Sequence, residues 1–159
     1  MDPFFQEKLS HINDLIKLSQ VDGEESHMEL NFINSIAARL GIEKGDVVRI
    51  KKGDIEIKFS TPETESKVIE QFHRLIILMG IDKLIYKEEV AFCVELGVRM
   101  GLNYNAITEV LRKTLRNPAY IMHLDEMENI FKKYSNQNIN KNIRKTIVQQ
   151  ITLKCQKVV

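Results

Sequence analysis

Residues 15–42 read LIKLSQVDGEESHMELNFINSIAARLGI, and residues 75–102 read LIILMGIDKLIYKEEVAFCVELGVRMGL. Superposed at a constant offset of 60, with no gap, eight of these 28 positions are identical. The pairs are Leu15/Leu75, Ile16/Ile76, Leu18/Leu78, Asp22/Asp82, Glu29/Glu89, Phe32/Phe92, Arg39/Arg99 and Gly41/Gly101. Apolar character also recurs at Val21/Ile81, Leu30/Val90, Ile36/Leu96, Leu40/Met100 and Ile42/Leu102. Self-similarity at a fixed interval is the mark of a duplicated structural unit. The fold follows from reading one unit and applying it twice.

Each unit reads as helix, short loop, helix. Leu9, Ile12, Leu15, Ile16 and Leu18 recur at helical spacing, and Asp22-Gly23 supplies a turn. Ser26-His27-Met28-Glu29 has the form of a capping box: the Ser hydroxyl accepts from the Glu backbone N–H, and the carboxylate reaches back. Leu30, Ile33, Ile36, Ala37 and Leu40 then form an apolar stripe that stops at Gly41. In the second unit, Thr61-Pro62-Glu63 predicts a helix start with Pro in the first turn. Val68, Ile69, Phe72, Leu75, Ile76 and Met79 line that helix. The next carries Val90, Cys93, Val94, Leu96, Gly97 and Met100, and ends at Gly101. Further helices are predicted over about 104–116, closed by Asn117-Pro118, and about 125–134.

Two segments carry competing patterns. Val47-Val48-Arg49-Ile50 and Ile55-Glu56-Ile57-Lys58-Phe59 flank Lys51-Lys52-Gly53-Asp54 and resemble a hairpin, so a short strand pair near 47–59 is one expectation. The repeat instead makes 44–50 the counterpart of the helix at 104–111. In the C-terminal segment, Ile139, Ile143, Ile147 and Ile151 lie on one i+4 row, which predicts helix to about 150. From Ile151 onward the alternation is strand-like. The expected organisation is therefore all-α. About seven helices form one domain over 1–134, with repeat units at 9–50 and 61–116, and 135–159 is a basic extension.

Composition bounds the remainder. The 159 residues suffice for one domain and an extension, and 43% hydrophobic with 28% charged is an ordinary globular balance. Two cysteines, Cys93 and Cys155, provide neither a disulfide framework nor a four-thiolate zinc site. Met1-Asp2-Pro3-Phe4-Phe5 has no basic region or apolar run of a signal peptide. The longest apolar stretch, residues 75–81, is far too short to span a bilayer. A reduced, cytoplasmic protein is expected. The formal net charge of +1 hides an asymmetry: residues 1–128 carry 16 basic and 22 acidic side chains. Residues 129–159 carry seven basic side chains and no acidic one.

An apolar helix, then Asp, a turn, Glu seven residues on, and a second helix closing on Gly and an apolar residue: this pattern resembles the TerB-like (tellurite-resistance TerB) family. The resemblance covers roughly residues 9–116. It implies an all-α domain of two pseudo-symmetric halves, with no established enzymatic activity, of the kind that serves as a scaffold or sensor in stress-response and membrane-linked systems. It further implies that Asp22, Glu29, Asp82 and Glu89 form an acidic signature suspected of binding a divalent metal. One departure stands out: the Gly expected after the second Asp is Lys83.

The residues themselves support two readings of those acids. Glu29 in a first helical turn is favoured by the macrodipole, whereas Asp22 at a helix C-terminus is not. Asp in a turn also bonds its own backbone, so capping and turn formation is the first reading. Four carboxylates from two symmetric loops, offering hard oxygen ligands to Ca²⁺, Mg²⁺ or Mn²⁺, is the second. Glu24 and Glu25 add negative charge to the first loop only, and Lys83 and Lys87 counter it in the second. The first loop is therefore expected to dominate any cation site. His11, His27, His73 and His123 show no ligand spacing for zinc. Cys93 and the methionines Met79, Met100 and Met127 read as core.

No phosphate loop, nucleophile elbow or His-Glu-x-x-His motif is present, so no catalytic residue is assigned. Lys141, Arg144 and Lys145 beside the Ile row suggest an interaction segment. An anionic membrane surface or nucleic acid could meet those charges. Docking onto the acidic body of the same chain, self-association, or another protein partner ranks above both. No aromatic residue follows Tyr134 to stack on bases or anchor in a bilayer.

Overall fold

The computed structural model describes residues 2–23 and 25–135. Seven helices are present among them: α1 (Pro3–Gln20), α2 (His27–Arg39), α3 (Lys44–Lys52), α4 (Glu65–Met79), α5 (Lys87–Arg99), α6 (Tyr104–Arg116) and α7 (Leu124–Lys133). No strand occurs among the described residues. None of these helices is long and apolar enough to cross a membrane. Lys141, Arg144, Lys145, Cys155 and the helix expected to about 150 lie outside the described residues, as does Glu24.

α1 begins earlier than its apolar stripe suggests. The Asp2 side chain accepts from the Phe4 N–H at 3.0 Å, and Pro3 occupies the first helical position. α4, by contrast, begins later than Pro62. Its N-cap is Thr64, whose hydroxyl accepts from the Lys67 N–H at 3.4 Å, while Pro62 is buried in the preceding extended run.

The expected strand pair near 47–59 does not form. Val47 and Ile50, three residues apart on a helix, are both buried, and α3 places them on one face. Gly53 then takes a left-handed φ of 75°, and the Asp54 N–H closes back on the Arg49 carbonyl at 3.0 Å. The glycine that resembled a hairpin turn is a helix terminator. Beyond it, Ile55 and Ile57 pack against the core while Glu56 and Lys58 face out, an alternation with no partner strand. α1 holds this run instead: Gln6 Nε2 donates to the Lys58 carbonyl at 3.0 Å, and Ser10 Oγ accepts from the Ser60 N–H at 2.9 Å.

α1 and α4 pack on each other at the centre. α2 and α3 flank α1, α5 flanks α4, α6 packs on α5, and α7 covers α4 and α6. One apolar cluster runs through all seven, with Ile12, Leu15, Phe72, Leu75, Ile107 and Met127 fully enclosed. Phe72 meets the Phe131 ring edge-on at a centroid distance of 6.0 Å. The close approach of α5 depends on Gly97, where a Cβ would lie 2.8 Å from Ile107 Cδ1 and 3.0 Å from Phe72 Cε2.

Candidate functional site

The two interhelical loops that follow α1 and α4 are built alike. After α1 the Gly23 N–H bonds the Gln20 carbonyl at 3.0 Å, with Gly23 at φ 85°. After α4 the Lys83 N–H bonds the Gly80 carbonyl at 3.1 Å, with Lys83 at φ 64°. Asp22 and Asp82 each immediately precede the left-handed residue. Asp82 Oδ1 accepts from the Leu84 N–H at 3.1 Å, the local turn bond that Asp side chains favour.

Glu29 and Glu89 then occupy the third position of α2 and α5. In α2 the Ser26 hydroxyl accepts from the Glu29 N–H at 3.1 Å and lies 3.2 Å from Glu29 Oε1, to which it donates. In α5 the N-cap is Tyr86, which lends no hydroxyl, yet Glu89 Oε1 accepts from the Tyr86 N–H at 3.0 Å. Capping therefore accounts for Glu89 without a Ser. The carboxylate half of the box survives alone.

Both glutamates are nonetheless buried, at 5% and 6% exposure, while Asp22 and Asp82 are half-buried. Desolvation disfavours the charged carboxylate. Burial pushes the Glu89 carboxyl up to about 7; the Tyr86 N–H opposes this, while the charges of Asp22, Asp82 and Glu29 add to it. Burial likewise raises Glu29, with the Ser26 hydrogen bonds opposing and Asp82 and Asp22 adding. The four acids picked out by the repeat thus lie within one another's electrostatic reach. They are not drawn into a coordination shell: among the described residues, no group of three His, Cys, Asp or Glu side chains is arranged to hold a metal ion.

The remaining members of the loops fall into other roles. Glu25 Oε2 pairs with Lys51 Nζ at 2.7 Å, so α3 neutralises one of the extra acids of the first loop. His27 is exposed at the first residue of α2. His73 Nε2 lies 2.6 Å from the Met122 carbonyl and ties α4 to the segment before α7. Cys93 is buried, and burial pushes its thiol above its ordinary range. Met79 and Met127 are fully enclosed, and Met100 is buried.

A second polar group lies inside the fold, and the sequence reading did not anticipate it. His11 is 1% exposed, and neither ring nitrogen has a hydrogen-bond partner among the described residues. Burial, reinforced by the Arg74 charge, lowers its pKa to about 3. One turn along α1, Asp14 is buried and pushed up to about 6, with Lys17 and Arg99 partly offsetting the desolvation. Arg99, one of the residues shared by the two units, also lies over the Phe59 ring at 4.2 Å. His11 and Asp14 sit i+4 from Leu15 and Leu18 beside the apolar row, a spacing common to flanks that face water and flanks that are covered.

No protein-family model matches this sequence, and neither a curated protein nor a solved structure shows significant similarity to it.

Proposed function

We propose that this chain is a non-catalytic helical module of the TerB-like type, formed from two repeated halves and acting in the cytoplasm. In this reading the paired acidic loops bind a divalent cation through Asp22, Glu29, Asp82 and Glu89. The observation that carries it is the convergence of these four carboxylates, from loops sixty residues apart, on one another's charge. Two buried like-charged acids are costly to keep for capping alone, because an exposed carboxylate caps equally well. The repeat is supported by element bounds: α2 and α5 begin and end sixty residues apart, and α3 and α6 begin sixty apart. Gly41 and Gly101 close α2 and α5 at φ 76° and 89°. That the thiol of Cys93 is buried, His11 enclosed and His73 engaged with a carbonyl favours a binding role over a catalytic one.

Binding would require the loops to close, because Ca²⁺ takes six to eight oxygens at about 2.3–2.6 Å. Calorimetric titration of Ca²⁺, Mg²⁺ and Mn²⁺ into chelator-stripped protein tests this. The expected result is saturable binding, weakened in both Asp22→Asn and Asp82→Asn. Glu89 must release its proton first, so affinity should rise as pH passes upward through 7. A cation at one hundred times its Kd should stabilise the fold by about 2.7 kcal/mol. Absence of binding in all three titrations would overturn the proposal and leave the acids as caps.

A further inference from the structure

An apolar groove with a volume of about 100 Å³ opens beside the second acidic loop. Its walls are Ile76, Ile77 and Ile81 from the end of α4 and its loop, facing Pro118, Ile121 and Met122 from the α6–α7 connection. The far wall is fixed in place. His73 holds the Met122 carbonyl at 2.6 Å, and the Tyr120 hydroxyl donates to Glu126 Oε2 at 2.6 Å. Ile121 is 64% exposed at the rim, and Leu84, two residues after Asp82, is 61% exposed. Large apolar side chains presented this openly around a preformed groove are the signature of a docking site.

Each flank of the groove carries a carboxylate beside a cation. Asp82 lies between Ile81 and Lys83, both of which line the groove. On the other edge Glu126, which accepts from the lining residue Tyr120, is paired with Lys113 Nζ at 3.4 Å. Among the described residues, Lys83 is the one cation on the lining. The apolar walls therefore suit an occupant with branched apolar side chains.

We propose that this groove seats the chain's own basic segment, residues 136–159. That segment holds Ile139, Ile143, Ile147 and Ile151 at four-residue intervals, five basic side chains and no acid. It complements a body whose charges over 1–128 sum to −6, from 16 basic and 22 acidic side chains. The reach is sufficient. The Tyr134 carbonyl accepts from Asn103 Nδ2 at the start of α6, whereas the groove lies at the other end of that helix, near Thr114. Eleven helical residues span roughly 17 Å, and a segment of 24 residues covers about twice that even at helical rise. Attachment to the same chain adds an effective concentration in the mM range that a separate partner lacks. The proposal is independent of cation binding.

Spin labelling of the full-length protein on Cys155 tests it, because Cys93 is buried and its thiol is shifted away from the reactive thiolate. Amide NMR signals of Ile77, Lys83 and Ile121 should be lost in the oxidised label and return on its reduction. The loss should persist on dilution and disappear in Ile121→Asp, whose exposed site leaves the fold intact. Mixing spin-labelled protein with unlabelled, isotope-enriched protein separates the remaining possibility. Signal loss in the unlabelled copy would place the segment on a neighbour and overturn the proposal. Signals unchanged at the groove, or lost at a different surface, would overturn it equally.

Discussion

Lys83 is the only residue other than glycine with a positive φ among those described. The left-handed region costs an L-residue roughly 1–2 kcal/mol, and its counterpart in the first unit, Gly23, avoids that strain. Lys83→Gly should therefore stabilise the protein by about 0.5–1 kcal/mol, once the extra freedom glycine gives the unfolded chain is deducted. Urea denaturation measures this, and a lower midpoint would show that the Lys side chain more than compensates for its backbone. The substitution of Lys for the expected Gly was legible in the sequence. Its conformational consequence needed the backbone. His11 and Asp14 were hidden for another reason. α1 is covered on several sides, by α2, α3, α4 and α5, so polar residues adjoining its apolar row are enclosed as well. No single-helix periodicity distinguishes a flank that faces water from one that faces another helix.

Helices α2 and α5 have the same length, thirteen residues, and different N-caps, Ser26 and Tyr86. Ser26→Ala removes the hydroxyl that serves both the Glu29 N–H and its carboxylate, and should cost about 1 kcal/mol. Tyr86→Ser installs that hydroxyl in α5 and should gain about 0.5–1 kcal/mol. Thermal melts of the two variants should move in opposite directions; a shift in the same direction would mean that Tyr86 contributes packing worth more than a cap. The sequence located α2, α5 and α6 to within a few residues, because Gly41 and Gly101 end the first two and Asn117-Pro118 ends the third. It was less decisive for α3. There, nine residues with Val and Ile at their centre satisfy strand and helix patterns alike. Only burial of Val47 with Ile50, rather than alternation, separates the two. The start of α4 was misplaced for a similar reason, since Pro62 and Thr64 both qualify as helix starts and the hydroxyl prevailed.

At the level of the molecule, four buried groups set how stability responds to pH: Glu29, Glu89 and Asp14 are raised and His11 is lowered. Glu89 keeps its proton up to about 7 against an ordinary 4.5, and Asp14 up to about 6 against 3.8. Between those values the folded chain binds protons that the unfolded chain has released, so stability falls as pH rises. His11 acts in the opposite sense. Its pKa falls from 6.5 to about 3, so its contribution is lost as pH drops through that interval. The raised carboxyls outweigh one imidazole in the middle of the range, and above 6.5 Glu89 acts without it. In cation-free buffer the melting temperature should fall from about pH 5 to about pH 7.5, and Glu89→Gln should flatten the upper part of that slope. A rise over the same interval would contradict the burial of these acids. The site as a whole was half legible: the four acids stood out by recurrence, but their mutual charge and the groove beside them required the packing of α4 against the 117–122 segment. The central pairing of α1 with α4 also bears on how the chain is made. The helix that covers the broadest face of α1 is completed only 59 residues after α1 itself, at Met79 against Gln20. At about 5–20 residues per second, that face waits roughly 3–12 s in water, long enough for a chaperone to reach it before its own second half does.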